Sequence, residues 1–213
     1  TCNESFGEAL EHEESEGHCI YCNELLSSPT LSYKGKEIKF GCASSSVKAI
    51  LGEPQAKYKD SAATKTIVVY VYYTDYKDLA IFTFADGKLT QFFSNATTAI
   101  VTQGSSHYGL YCKSAPNKIG DISISAYSDS LNNGFNYSFC ATVGENYNLT
   151  KTTDYTLNEK LNFHLTNGLR ALNGVLELKY CADASKVARA HSTDMATRNY
   201  FNHENPEGES VGD

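Results

Sequence analysis

Residues 155–208 read YTLNEKLNFHLTNGLRALNGVLELKYCADASKVARAHSTDMATRNYFNHENPEG, and this stretch decides the C-terminal part of the fold. Leucines recur there at spacings of three and four residues, the period that lines one face of an α-helix: Leu157, Leu161, Leu165, Leu169 and Leu172. Thr156 and Glu159 predict a capping box, because each side chain can bind a free backbone amide of the first turn. Asn173 and Gly174 predict a left-handed stop.

A second helix is predicted after a short extended piece from Val175 to Tyr180. One face of this helix carries Ala184, Val187, Ala188, His191 and Met195, whereas Arg189, Asp194 and Arg198 fall on other faces. The segment Tyr-Phe-Asn-His follows and ends at His203, and Pro206 and Gly208 then predict a turn. We interpret His191 and also His164 on the first helix as packed, hydrogen-bonded histidines.

Two pieces, LNFHLTNGLRALNGVLELKY and ASKVARAHSTDMATRNYFNHENPEG, resemble in their order the start of the CAP domain of secreted bacterial proteins. This domain is also called SCP-like or PR-1-like, and it is the domain of the cysteine-rich secretory protein family. The resemblance covers Leu157 to about Asp213 and implies an α/β/α sandwich, an extracellular location, and a cleft with two histidines and two acidic residues. His203 matches a cleft histidine, so it is the expected binding residue.

The other residues of the implied cleft have no match in the sequence. The family site needs an acid in a downstream Gly-Glu-Asn segment, then another acid and a second histidine, but the sequence ends at Asp213. A Gly144-Glu145-Asn146 segment precedes the first helix, and we interpret it as chance. The resemblance therefore predicts a truncated CAP domain whose helices pack on the preceding region, on another chain or on a separate fragment. No catalytic residue, metal ligand or cofactor is expected.

The composition limits the classes of partner that this chain is expected to bind. The 213 residues leave room for one large or two small domains, and the net charge of −7 argues against nucleic-acid binding. No apolar run approaches the ~18 residues that span a bilayer. No signal peptide is visible at Thr1, so a mature or trimmed chain is expected.

Seven scattered cysteines are typical of a disulfide-permissive compartment, although the odd number leaves at least one unpaired within the chain. Cys19 and Cys22 form a Cys-x-x-Cys near His12 and His18 in an acidic lead-in, residues 1–30. Three interpretations stay open for them. We favour a disulfide or free thiols over a zinc site, which usually shows a second close pair, and over a thioredoxin-type redox site.

Residues 31–150 favour a mostly antiparallel sheet. A short helix is predicted from Ser46, as its cap, to a stop at Gly52 and Pro54. The Asp86-Gly87 pair between alternating apolar residues is a strong hairpin signal. The predicted strands are residues 67–73, 79–85, 88–93, 119–126 and 135–143.

The order VKAILGEP, strand, YTDYKDLAIFTFADGKL resembles the domain that precedes the CAP domain in some bacterial proteins, to which no chemistry is assigned. Its aromatic residues are Tyr70, Tyr72, Tyr73, Tyr76, Phe82, Phe84, Phe92 and Phe93. We interpret them as core and cross-strand packing, with a ligand platform as the alternative.

The sequence therefore predicts an α+β fold: a lead-in (1–30), a β-rich CAP-associated domain (31–150) and a partial CAP domain (156–213). The expected function is that of a secreted, non-enzymatic binding module for a lipid, cell-surface or protein ligand. Self-association through the exposed helices is a further expectation. The alternative is a metal-assisted hydrolase whose remaining site residues lie on another segment.

Overall fold

A computed structural model describes residues 13–15, 17–20, 27–60, 65–112, 114–128, 136–144 and 155–210. The chain divides into two compact units, residues 1–176 and 177–213. The predicted α+β class is confirmed, with strands in the N-terminal part and helices at the C-terminal end. The domain limits predicted near residues 150 and 156 stay a prediction.

A seven-stranded antiparallel sheet is the largest element of the first unit. Its strand order is β11-β12-β13-β8-β7-β6-β5. The strands are β5 (Ala56–Asp60), β6 (Ile67–Tyr72), β7 (Ala80–Ala85), β8 (Lys88–Ser94), β11 (Lys118–Ile119), β12 (Ile122–Ser128) and β13 (Asn136–Val143). Asp86 and Gly87 join β7 to β8 with φ angles of 48° and 80°, as the hairpin prediction requires.

A second sheet of four strands has the order β10-β9-β3-β4. Its strands are β3 (Thr30–Tyr33), β4 (Lys36–Lys39), β9 (Ile100–Gln103) and β10 (Ser106–Gly109). None of these was predicted, because each is only four residues long and shows little apolar alternation. In the lead-in, β1 (Glu14–Ser15) and β2 (His18–Cys19) form a short hairpin.

Strand β6 shows how the two faces of the large sheet are used. Tyr70 and Tyr72 belong to the core shared with Leu31 and Tyr33 of the small sheet. Val69 belongs instead to the cluster that the following helix, residues 155–172, covers. Because both faces are buried, the strand reads as a continuous apolar run rather than as an alternation.

Helix α1 spans Ser44–Leu51, two residues earlier than predicted. Ala43 occupies the N-cap and makes no side-chain capping bond, so the predicted cap at Ser46 is wrong. The stop is confirmed, since Gly52 has φ 84° and its amide donates to the Lys48 carbonyl.

Helix α2 spans Tyr155–Leu172, so Thr156 lies inside its first turn and is not the cap of a capping box. The predicted stop is confirmed: Gly174 has φ 68°, and its amide donates to the Ala171 carbonyl. The Val175 amide donates to the Arg170 carbonyl, which completes a Schellman motif.

The buried face of α2 is rotated from the predicted leucine stripe. Leu157 and Leu161 are 3% and 5% exposed, but Leu169 and Leu172 are 44% and 39% exposed. The buried positions are Leu157, Leu161, His164, Asn167, Gly168 and Ala171. The C-terminal half of the helix therefore buries small and polar residues instead of the leucines that the pattern predicted to be buried.

The second unit consists of α3 (Ala182–Arg198) and the turn that follows it. Asn199 ends the helix in the left-handed conformation, with φ 55°. No residue of α3 is buried. None of the helices α1, α2 and α3 is long and apolar enough to cross a bilayer.

Candidate functional site

His203 lies on the exposed surface of the segment that follows α3. Its backbone amide donates to Oδ1 of Asn202 at 2.7 Å, which fixes the start of the turn. Among the described residues, no side chain makes a hydrogen bond or ion pair with its imidazole. The ring is therefore free to contact a ligand, and the binding role of His203 stays a prediction.

His191 holds the backbone next to His203. Its Nε2 lies 2.9 Å from the carbonyl oxygen of Asn202. Because a carbonyl only accepts, this nitrogen carries the proton and donates. The His191 ring also meets the Tyr200 ring edge-on, with centroids 6.1 Å apart. The predicted hydrogen bonding of His191 is present, but the residue is half-buried rather than packed into a core, because no core forms along α3.

Arg198 joins α3 to the turn through a forked ion pair. Its Nε and Nη2 donate to the two Asp194 oxygens at 2.8 and 2.6 Å. Nη1 and Nη2 donate to the two Glu207 oxygens at 2.6 and 2.8 Å. Tyr200 donates its hydroxyl to Asp194 at 2.6 Å. The sequence pattern placed Asp194 and Arg198 away from the apolar face and predicted no role for them, although their i,i+4 spacing is a signal for such a pair.

This network lowers the pKa of both carboxyl groups. Hydrogen bonds from Arg198, and then from Tyr200, lower the pKa of Asp194. The Arg198 hydrogen bond likewise lowers the pKa of Glu207. Both acids stay ionised and committed to the arginine, so neither is poised as a proton donor.

The predicted turn is present and is built around Asn205. Its Oδ1 accepts from the amides of Glu207 at 3.1 Å and Glu209 at 2.8 Å. Gly208 has φ 86°, the conformation that favours glycine at this position. The turn is therefore defined by backbone bonds of its own and by Arg198.

A groove of about 490 Å³ lies between α3 and this turn. It is lined by Val187, Ala190, His191, Asp194, Asn205, Glu209 and Ser210. His203 does not line it. The structure thus brings His191 and Asp194 to one concavity and leaves His203 on the outer surface beside Phe201, which is 95% exposed.

His164 on α2 is a different kind of histidine, buried at 4% exposure. Its Nε2 and Nδ1 each lie 2.8 Å from a tyrosine hydroxyl, of Tyr58 and Tyr76 respectively. Burial lowers the pKa of the imidazole to about 4, and the nearby Lys160 charge acts in the same direction. The interpretation of His164 as a packed histidine is confirmed, whereas its two tyrosine partners could not be found from sequence spacing.

The lead-in cysteines lie mostly beyond the described residues, which exclude His12, Cys22 and the Cys19 side chain. His18 is described, and its Nε2 lies 3.5 Å from Asp121. No group of three His, Cys, Asp or Glu side chains that could hold a metal occurs among the described residues. Glu145 and Asn146 of the Gly-Glu-Asn segment also fall outside them.

The described cysteines Cys42, Cys112, Cys140 and Cys181 are free thiols. The aromatic residues of the large sheet are core rather than a platform: Tyr70, Tyr72, Tyr76, Phe82, Phe84 and Phe92 are buried, and Tyr73 and Phe93 are half-buried.

Comparisons with known proteins bear on both units. Residues 163–213 match the family model of the CAP, cysteine-rich secretory protein family. Among solved structures, the chain is similar to an extracellular protein containing an SCP domain from Bacillus anthracis str. Ames. That likeness has a TM-score of 0.59 at 17% identity and covers 81% of this chain and 72% of the other. No curated protein matches the chain.

At 17% identity the structural likeness concerns the fold alone. The family match lies on the residues whose sequence resembles the start of the CAP domain. It begins within α2, includes all of α3, and contains His191, Arg198 and His203. Residues 163–213 are therefore similar to the CAP, cysteine-rich secretory protein family.

Proposed function

We propose that this chain is a secreted SCP-like binding protein without catalytic activity, and that the surface around Phe201 and His203 contacts its ligand. The observation that carries the proposal is that these two residues, two positions apart in the sequence, are both exposed. Phe201 is 95% exposed, and the His203 imidazole has no polar partner among the described residues. An aromatic ring and a free imidazole can together contact an apolar surface and a polar group.

Further apolar side chains of the second unit are partly exposed. Leu178, Tyr180 and Val187 are 44%, 43% and 49% exposed. Apolar side chains exposed on a protein surface mark an interaction site where they form one patch. The net charge of −7 disfavours anionic membranes and polymers, so a neutral lipid surface or a protein is the ligand class that fits.

Catalysis has less support. General acid–base chemistry needs a second group within about 2.6–3.2 Å of the imidazole. Among the described residues His203 has no such group, and the acids Asp194 and Glu207 are held by Arg198. A metal-assisted hydrolase would need ligands on residues beyond those described, and no observation on the described part of the chain favours it.

Flotation with neutral phosphatidylcholine vesicles tests lipid binding by this surface. The wild-type chain is expected to float with the vesicles, and Phe201→Ser is expected to stay in the soluble fraction. Tyr111→Ser is the matched control, since Tyr111 is 58% exposed but lies in the first unit. Equal flotation of the wild type and Phe201→Ser would overturn the assignment of the surface.

Hydrolysis assays test the second half of the proposal. The chain is expected to turn over neither ester nor peptide substrates, with or without added zinc. Turnover that disappears in His203→Ala would establish an enzyme instead. Secretion is tested separately, by comparing the amounts of the protein in culture medium and in cell lysate.

We also propose that residues 31–150 are the CAP-associated domain and 156–213 the CAP part of this protein. The support is the change of hydrophobic period near residue 150 and the family match from residue 163 onward. Deletion of residues 177–213 should leave the sheet-containing unit folded, as followed by circular dichroism.

A further inference from the structure

A second concavity lies within the first unit, between α2 and the large sheet, and we name it the α2 groove. Its volume is about 330 Å³, at the lower end of the range of small-molecule sites, ~300–1,000 Å³. Its walls are mainly apolar and aromatic and include Leu79, Phe93, Tyr127, Leu165, Leu169 and Leu172. Leu169 and Leu172 are the leucines that the sequence predicted to be buried and that the fold leaves exposed.

Asn95 lines this groove and carries an unused acceptor. The residue is 3% exposed, and its Nδ2 donates to the Tyr76 carbonyl at 2.8 Å. Its Oδ1 is buried and has no hydrogen-bond partner among the described residues. It is the one buried side-chain polar atom in that part of the chain for which this holds. Buried acceptors in folded proteins are nearly always paired, so we expect a hydrogen-bond donor to bind this atom.

The amide cannot simply turn over to satisfy itself. Exchange of Oδ1 and Nδ2 would place an oxygen against the Tyr76 carbonyl, which only accepts. Gly168 of α2 lies close to the amide, since a Cβ at Gly168 would lie 3.1 Å from Nδ2. The unpaired acceptor therefore belongs to a residue that lines an apolar groove.

We propose that the α2 groove binds a small uncharged amphiphile that has an aliphatic body and one O–H or N–H donor. The donor meets Oδ1 of Asn95, and the body lies against Leu169, Leu172 and the Tyr127 ring. The ligand is uncharged because the described residues that line the groove include no charged side chain. This site lies in another unit than the surface around His203 and does not depend on it.

A matched pair of probes tests the donor requirement without any mutation. 1-Octanol and methyl heptyl ether have the same number of heavy atoms, but only the alcohol can donate. Ligand-observed NMR titration of the wild-type chain is expected to show saturable binding of 1-octanol. The ether is expected to bind at least about tenfold more weakly, which corresponds to about 1.4 kcal/mol. Equal affinities would show that Oδ1 is not the acceptor and would overturn the proposal.

Two variants test the location. Leu172→Trp narrows the groove and is expected to abolish binding, whereas Leu176→Trp should leave it unchanged, since Leu176 is 87% exposed and does not line the groove. Binding to Leu172→Trp with wild-type affinity would overturn the proposal. Should that variant fail to fold, nuclear Overhauser contacts from 1-octanol to the Phe93 and Tyr127 rings in the wild type decide the location, and their absence counts against it.

Discussion

Replacement of His164 by glutamine should remove a defined part of the acid sensitivity of this protein. In the folded chain, burial lowers the pKa of the His164 imidazole to about 4. In the unfolded chain a histidine titrates near its ordinary value of about 6.5. Between these two values the unfolded state binds a proton that the folded state does not, so stability falls as the pH falls.

The magnitude follows from the separation of the two pKa values. One pKa unit corresponds to about 1.36 kcal/mol, so an interval of about 2.5 units removes about 3 kcal/mol of unfolding free energy. The loss begins as the pH drops below about 6.5 and is complete below about 4. Above pH 7 the imidazole is neutral in both states and contributes no pH dependence.

Glutamine keeps one donor and one acceptor for the hydroxyls of Tyr58 and Tyr76, but it does not titrate. The variant is expected to be less stable at pH 7 by about 1–3 kcal/mol, because the bonds and ring packing of His164 are only partly replaced. As the pH is lowered to 4, the wild type should lose about 3 kcal/mol more unfolding free energy than the variant, so the two become similar or the variant becomes the more stable. Carboxyl groups titrate in both proteins and cancel in this difference.

Urea unfolding between pH 4 and 7.5, followed by far-ultraviolet circular dichroism, measures both curves. His107→Gln is the matched control, because it makes the same change at an exposed histidine of β10. Its curve should run parallel to that of the wild type. If His164→Gln also ran parallel to the wild type, His164 would be protonated in the folded state, and the desolvation argument would be wrong.

Three further outcomes are expected. Leu161→Ala should lower the unfolding free energy by about 2–5 kcal/mol in urea titrations, because Leu161 is 5% exposed, whereas Leu176→Ala at 87% exposure should change it by ~0.5 kcal/mol or less. Arg198→Gln should raise the pKa values of Asp194 and Glu207 toward their ordinary range, since Arg198 is the main cause that lowers them; carboxyl NMR titrations that match the wild type would contradict this. Zinc calorimetry should show no stoichiometric binding, since no three potential ligands converge among the described residues; micromolar binding lost in His203→Ala would disprove it.

Local signals in the sequence predicted those elements that local chemistry decides. The Asp86-Gly87 turn and the Gly174 helix stop need a positive φ, and the residues that tolerate it stand at those positions. The strand at Ile67–Tyr72 was found because its β-branched and aromatic run is long. The strands of the four-stranded sheet were missed because each has only four residues and because the pairing of β3 with β9 joins segments distant in the sequence.

The rotation of α2 shows what periodicity leaves open. A leucine stripe predicts one apolar face, but the packing partner selects which residues are buried. At Gly168 a side chain would press on Asn95 and Leu79, so this small residue lets the helix approach the sheet unit closely. The close approach buries His164 and leaves Leu169 exposed, an outcome that depends on the sheet as well as on the helix sequence.

The family match and the packing divide the chain at different points. The CAP family match begins at residue 163 within α2, but α2 buries Leu157 and Leu161 in the same cluster as Val69 of the sheet. The first helix of the family segment is therefore part of the sheet unit by its packing. It follows that this helix has two tasks: Leu157 and Leu161 help to stabilise the sheet, and the exposed Leu169 and Leu172 border the α2 groove. A change on one face can then alter stability without altering binding, and the reverse also holds.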